Sequence, residues 1–216
     1  MGFFNHSTSV IDDGAIIGDG TRIWHFAHIS KGAIIGKNCN IGQNCFIGMD
    51  VVIGNSVKIQ NNVSIYTGTL VEDEVFLGPS CVLTNVSNPR SQINRHLYFE
   101  KIILRKGCTI GANATIVCGI EIGRYAFIGA GTVVNKSVRD YELITGVPGK
   151  KIGWMSRHGH RLDFNSSDMA VCPESGYSYQ LKNDTVKCLD IGEETALPES
   201  KATGAGYYRD YKKGRP

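Results

Sequence analysis

Residues 23–42 read Ile23-Trp24-His25-Phe26-Ala27-His28-Ile29-Ser30-Lys31-Gly32-Ala33-Ile34-Ile35-Gly36-Lys37-Asn38-Cys39-Asn40-Ile41-Gly42. An aliphatic side chain returns at every sixth position, and four places after each stands a small residue, as Ala27, Ala33 and Cys39 do. The stride extends outward in both directions. It runs unbroken from Ile11 to Leu83 and resumes as Leu104, Ile110, Ile116, Ile122, Ile128 and Val134. An amphipathic helix would space its apolar residues three and four apart. A period of six instead gives a short strand with one large and one small inward side chain, then a turn. Three such strands close a triangular coil of 18 residues. With coils about 4.8 Å apart, about six of them make an all-β prism roughly 30 Å tall.

Stacking every third hexad aligns residues 18 apart in vertical columns. His25, Gln43 and Asn61 share one column, with Phe26, Asn44, Asn62 and Ser80 in the next. Such a ladder offers donors and acceptors suited to a sugar or nucleotide, although solvated β faces carry similar ladders. Cys39, Cys45, Cys81 and Cys108 fall in the small inward slot, where a thiol packs as a compact hydrophobe. Residues 84–103 interrupt the stride near the root of the ladder. A long loop leaving an otherwise regular repeat, and rich in Asn, Arg, His and Tyr, reads as functional.

The 216 residues carry 23 Lys plus Arg against 20 Asp plus Glu, a net charge of +3. No run of five or six like charges appears, which argues against nucleic acid as a partner. No 18 apolar residues run together, so no membrane insertion is expected. Met1-Gly2-Phe3-Phe4-Asn5-His6 lacks the basic start and apolar core of a signal peptide. Seven cysteines, an odd number without closely spaced pairs, point to a reducing cytoplasm.

Six segments carry a family resemblance: Arg22-Ile23-Trp24-His25-Phe26, Lys58-Ile59-Gln60-Asn61-Asn62-Val63-Ser64, Gly78-Pro79-Ser80, Thr84-Asn85-Val86-Ser87-Asn88-Pro89-Arg90, Gly111-Ala112-Asn113-Ala114-Thr115-Ile116-Val117-Cys118-Gly119 and Gly146-Val147-Pro148-Gly149-Lys150-Lys151-Ile152-Gly153-Trp154. Over about residues 5–160 the chain resembles hexapeptide-repeat N-acetyltransferases acting on nucleotide-linked 3-amino sugars. Within that group it looks most like the UDP-2-acetamido-3-amino-2,3-dideoxy-glucuronate N-acetyltransferases of bacterial O-antigen synthesis. The resemblance implies a left-handed parallel β-helix over residues 1–154, with the inserted loop at 84–103 and a small C-terminal extension at 155–216. It also implies a homotrimer, with acetyl-CoA in the groove between adjacent subunits and a UDP-amino sugar near the loop.

Carried over residue by residue, the resemblance makes Asn85 the group that orients the amine or polarises the thioester carbonyl. His25 is an acceptor-site residue first and a general base second. Arg90 pairs with a sugar carboxylate or a phosphate through its fork of donors; Gln43 and Asn61 of the ladder and Asn88 of the loop are further candidates for holding the acceptor. Gly111, Ala112, Ala130 and Gly131 line the pantetheine arm, although turn-making alone would account for the glycines. Lys150 is the candidate for a coenzyme A phosphate and Lys151 a weaker one. Positioning can supply much of the acceleration, with the departing thiolate accepting the proton.

Other readings remain. The same transfer to a dTDP-3-amino-3,6-dideoxyhexose would lack the carboxylate that Arg90 meets. A γ-type carbonic anhydrase would need three histidine ligands, and His25, His28 and His96 make a poor set. His6, His158 and His160 read as exposed or hydrogen-bonded rings. No metal is expected: His158, His160, Cys172 and Cys188 lack the C-x-x-C spacing of a zinc site. An ice-binding solenoid would show outward ranks of threonine, which are missing. Beyond Trp154 the stride ends, and short strands are expected to cover the end of the prism, with the last twenty or so residues mobile.

Overall fold

A two-residue strand cannot persist by itself, and nearly every strand of the repeat is that short, as Arg22–Ile23, His28–Ile29 and Ile34–Ile35 are. Each is held by the coils before and after it. Arg22 opposes Asn40, Asn40 opposes Lys58, and Lys58 opposes Phe76, all in parallel register. The computed structural model, which describes residues 2–211, stacks these strands into the three sides of a left-handed β-helix of about eight turns. The first side runs from Phe4–Asn5 to Glu142–Thr145, the second from Val10–Ile11 to Val133–Val134, and the third from Ile16–Ile17 to Glu121–Ile122.

The stride fills the interior. Every aliphatic residue of the sixfold series is buried except Ile11 and Ile17, which sit on the first coil with no coil beneath them. Each buried isoleucine contributes about 1.5–3 kcal/mol. The small slot is equally closed: Cys39, Cys45 and Cys81 are each 2% exposed and Cys108 is sealed. Burial pushes the Cys81 thiol up to about 12 and raises those of Cys39, Cys45 and Cys108, so these groups are packing and not nucleophiles.

The solenoid is longer than the stride alone suggests. Phe4–Asn5 joins the first side although Asn5 occupies an aliphatic slot, and Glu142–Thr145 adds a final strand after a coil two residues short, Ile144 pairing with Ile128. The inserted loop is also shorter than 84–103, because Ile102 and Ile103 already pair with Thr69 and Leu70.

Beyond Thr145 the chain turns back. Lys150–Met155 and Arg161–Leu162 extend the first side antiparallel, and Met169–Val171, Ser178–Lys182 and Thr185–Cys188 form a separate antiparallel sheet. This extension also lies along the corner between the third and first sides, and does not merely cover the end. Tyr125 and Tyr141 share its core with Trp154, Leu162 and Tyr179. Glu193 accepts the Tyr125 hydroxyl on its carbonyl oxygen at 2.6 Å and the Tyr141 hydroxyl on its carboxylate. Lys106, nearly buried, donates to the Glu194 carbonyl at 2.6 Å.

The segment expected to be mobile is held as far as it is described; residues 212–216 lie outside the described residues. Lys201 Nζ donates to the Ser175 carbonyl at 2.8 Å, and Tyr208 and Tyr211 flank the His160 ring.

Candidate active site

The turn from the first side to the second recurs once per coil and forms one continuous corner. Along it Asn44 N–H donates to the His25 carbonyl at 2.9 Å, Asn62 to Gln43 at 2.9 Å, Ser80 to Asn61 at 3.0 Å, Asn113 to Pro79 at 3.0 Å and Gly131 to Ala112 at 2.8 Å. His25, Gln43, Asn61, Ala112 and Ala130 therefore lie on a single line with Pro79 between them. At about 4.8 Å per coil, five steps carry that line roughly 24 Å from His25 to Ala130. The hairpin at 146–149 closes its far end, with Gly149 N–H on the Val133 carbonyl at 2.7 Å, and delivers Lys150 there.

The His25 end is concave. A cavity of about 240 Å³ is lined by Trp24, His25, Asn40, Gln43, Gln60 and Asn61. Trp24 Nε1 donates to Asn40 Oδ1 at 2.8 Å, and Asn61 Oδ1 accepts the Gln43 backbone N–H at 2.8 Å, which leaves the Asn61 amide nitrogen and the Gln43 side chain without a partner among the described residues. His6 stacks on His25 with ring centroids 3.5 Å apart. His6, expected to be an exposed or hydrogen-bonded ring, is brought against His25 by the first coil. Asn40, which the sequence does not single out, is an outward residue of the first side whose signal is its register opposite Arg22, two places before Trp24.

At the other end, the bare backbone of Gly111 has a packing cause: a Cβ there would stand 2.5 Å from Ala130 N. Gly131 differs, with a φ of +68° and open space around it, so it and exposed Ala130 are open to a ligand, with half-buried Ala112 beside them. The Lys150 ammonium has no hydrogen-bond or ion-pair partner among the described residues, whereas Lys151 is committed to Asp184 at 2.6 Å and to Glu142 at 3.4 Å.

The loop does not meet this line within one chain. It leaves from the second corner, between the second and third sides, so the ladder stands one side away and not at its root. A side of about six residues is up to roughly 20 Å wide. The loop holds its own hollow of about 580 Å³, lined by Val86, Pro89, Arg90, Ile93, Arg95 and Phe99. The Asn85 carbonyl accepts Glu100 N–H at 2.9 Å, and the Asn85 side-chain amide has no partner among the described residues. Arg95 Nε donates to the Asn88 carbonyl at 3.0 Å, and Arg90 turns one donor to the Pro89 carbonyl at 3.0 Å with the rest of its guanidinium exposed.

The histidine set of a carbonic anhydrase is not assembled. His28 sits on the second side, 3.1 Å from Asp12, away from His25 on the corner and His96 in the loop. His160 instead bonds Glu174 at 2.6 Å and His158 the Lys201 carbonyl at 2.9 Å. Among the described residues no group of three His, Cys, Asp or Glu side chains is placed to hold a metal ion, and no helix is long and apolar enough to cross a membrane.

A three-sided coil with a sixfold aliphatic stride and a ligand-sized corner is the architecture of hexapeptide-repeat proteins. Within that architecture, residues 14–48 and 101–136 of the chain match the bacterial transferase hexapeptide (six repeats), and residues 32–67 match the hexapeptide repeat of succinyl-transferase. The dTDP-3-amino-3,6-dideoxy-alpha-D-galactopyranose 3-N-acetyltransferase of Aneurinibacillus thermoaerophilus is 42% identical over 93 residues, 43% of this chain and 47% of that protein. A serine acetyltransferase of Buchnera aphidicola (subsp. Schizaphis graminum) is 37% identical over 85 residues, 39% of this chain and 30% of the relative. The chain thus spans less than half the length of these curated relatives. A hexapeptide-repeat acetyltransferase from Vibrio cholerae O1 biovar eltor, solved with acetyl coenzyme A, shares the fold with a TM-score of 0.50 at 23% identity, covering 58% of this chain and 72% of that one.

Proposed function

We propose that the protein transfers an acetyl group from acetyl-CoA to the 3-amino group of a nucleotide-linked sugar. The observation that carries this reading is the 42% identity to an N-acetyltransferase of a dTDP-linked 3-amino sugar. The single corner line supports it, since polar groups gather at the His25 end and reachable small residues and a free lysine at the other. Gly131, Ala130, Ala112 and Lys150 hold the donor, with Gly111 giving the close stacking beneath it. His25, Gln43 and Asn61 hold the acceptor.

A homotrimer completes the site. Asn85, Asn88 and Arg90 stand on a different corner from His25, so the loop of one subunit meets the ladder of the next. Ile16, Ile34, Val52 and Leu70, outward on the third side and 61%, 43%, 40% and 36% exposed, give the subunits an apolar contact surface.

Acetyl-CoA supplies the acetyl group as a thioester and carries away the amine proton as the free thiol. The chain's own task is positioning. The Asn85 amide holds the amine lone pair toward the carbonyl or donates to the carbonyl oxygen as charge develops there. His25 steadies the sugar. Arg90 presents its free donors to an anionic group of the acceptor, a uronate carboxylate in a UDP-linked 2-acetamido-3-amino sugar. The dTDP-linked 3-amino-3,6-dideoxyhexose is the second reading, favoured by the identity of the relative just named. The seven free thiols suit a reducing cytoplasm.

Mass spectrometry of acetyl transfer to a panel of nucleotide amino sugars tests the proposal. Acetylation of a 3-amino acceptor is the expected result, and the UDP-uronate against the dTDP-deoxyhexose separates the two readings. No transfer to any amino sugar, or transfer only to a sugar hydroxyl, rejects it.

A further inference from the structure

Phe26 is out of place for its turn. Its φ is +57°, in the left-handed region, where the equivalent residues of later coils on the same corner are Asn44, Asn62, Ser80, Asn113 and Gly131. Those are small or polar residues that tolerate the conformation, whereas a bulky side chain there is strained. Among the described residues only two other aromatics adopt positive φ, Tyr125 and Tyr141. Both lie beneath the C-terminal extension, 6% and 0% exposed. Where this chain sets an aromatic ring on a strained turn and supplies a partner, the ring is covered. Phe26 is 60% exposed.

Its surroundings specify what covers it. The ring adjoins His25 at 6.2 Å, His25 rests on His6, and Trp24 packs on Phe4 at 5.5 Å, so two of these flat faces, Trp24 and His25, line the first-corner cavity and Phe26 stands beside it. Beside the ring are the amides of Asn44 and Asn62, joined by a single bond of 3.1 Å that leaves further donors and acceptors open. Below it on the first side, Arg22 and Lys58 flank Asn40 in register, both exposed and neither with an ion-pair partner among the described residues. Two coils separate these cations, about 10 Å, the span that brackets a diphosphate. A cavity of about 240 Å³ takes a ring and not a whole nucleotide sugar.

The geometry points to Phe26 as the stacking platform for the base of a nucleoside diphosphate, with Arg22 and Lys58 as the pair that holds its phosphates. This deepens the nucleotide-sugar reading and rests on it. The base lies on the phenyl and imidazole faces with its polar edge toward Asn44 and Asn62, and the diphosphate runs down the first side toward Asn40. The sugar then meets Gln43 and Asn61. A second copy of the chain is the rival occupant of the ring.

Calorimetric titration of the full chain with UDP, dTDP, uridine and acetyl-CoA tests the assignment, using Phe26→Asn and the double variant Arg22→Gln/Lys58→Gln. Asparagine suits the positive φ, so Phe26→Asn folds with an unlowered Tm. It is expected to weaken UDP and dTDP about tenfold, the scale of one base–aromatic stack, and to leave acetyl-CoA unchanged. The double variant is expected to weaken UDP and its salt dependence while leaving uridine as it was. UDP affinity within twofold of wild type in Phe26→Asn overturns the platform alone. A selective loss of acetyl-CoA binding, or a change of assembly state in sedimentation, overturns it in favour of the donor or of a second copy. Wild-type protein that binds acetyl-CoA but neither UDP nor dTDP overturns the nucleotide-sugar reading and the platform with it.

Discussion

Lys151 holds its ammonium 3.7 Å above the ring of Trp154. The same nitrogen meets Asp184 and Glu142, while the neighbouring Lys150 ammonium has no partner among the described residues. Adjacent residues of one strand point to opposite faces, so one lysine is a strut and the other is available. Lys150→Ala is expected to raise KM for acetyl-CoA about fivefold at unchanged Tm. Lys151→Ala is expected to leave that KM alone and cost about 1 kcal/mol of stability. Steady-state kinetics and thermal melts read the two effects; a KM effect confined to Lys151 would contradict the assignment.

Gly78 faces the backbone of the next coil, and a Cβ there would stand 2.6 Å from Ala112 N. Backbone cannot step aside as a side-chain tip can. Gly78→Ala is expected to destabilise the solenoid by about 1–3 kcal/mol, whereas Gly131→Ala meets open space and pays only for its positive φ. Urea unfolding of both variants gives the comparison.

Asn85 and Arg90 are assigned different tasks. Asn85→Ala is expected to lower kcat about a hundredfold with little change in KM for the acceptor. Arg90→Ala is expected to raise that KM about tenfold, and His25→Ala to act on it likewise. Unchanged kcat/KM in all three removes the site from these residues.

The C-terminal segment has an acid-sensitive catch. The Ala205 backbone N–H, at 2.8 Å, and His160, at 2.6 Å, hold the Glu174 carboxyl below its ordinary range. A depressed carboxyl stabilises the fold above its unfolded pKa, and that contribution is lost as pH falls through the lower folded value. Proteolysis of residues 199–211 is therefore expected to accelerate as pH drops below about 4.3, and Glu174→Gln is expected to show fast cleavage already at neutral pH. Cleavage of the wild type that does not vary between pH 6 and about 3.5 would show that the catch does not matter.

Thiol titration separates the cysteines. Cys188 is half-buried and the other six are buried. One fast-reacting thiol per chain is the expected count for the native protein with a disulfide reagent, rising to seven after unfolding.

The fold was legible because its core obeys a single rule: an aliphatic residue every sixth place has one inward destination, and from Ile23 to Val134 the structure puts it there. The rule fails at the ends, where Asn5 fills an aliphatic slot and Ile144 follows a coil two residues short. The column of His25, Gln43 and Asn61 was legible for the same reason, since 18-residue spacing is coil spacing. The relation of that column to the loop was not. Sequence distance from Leu77 to the loop is short, but one strand further along the chain is a different corner of the prism. The seat of the extension was hidden too, because Tyr125 and Tyr141 look like ordinary turn residues until Glu193 is seen to receive both hydroxyls.

The corner ladder joining His25 to Gly131 has no slack, each rung being a hydrogen bond between consecutive coils. The prism is therefore a ruler graduated in turns. Removing one turn would bring the two ends of the groove about 4.8 Å closer while leaving every remaining side chain on its own face. Any molecule that engages both ends at once is gauged against that fixed number of graduations, so reach is written into the chain as a repeat count and could be reset by adding or deleting 18 residues at a time.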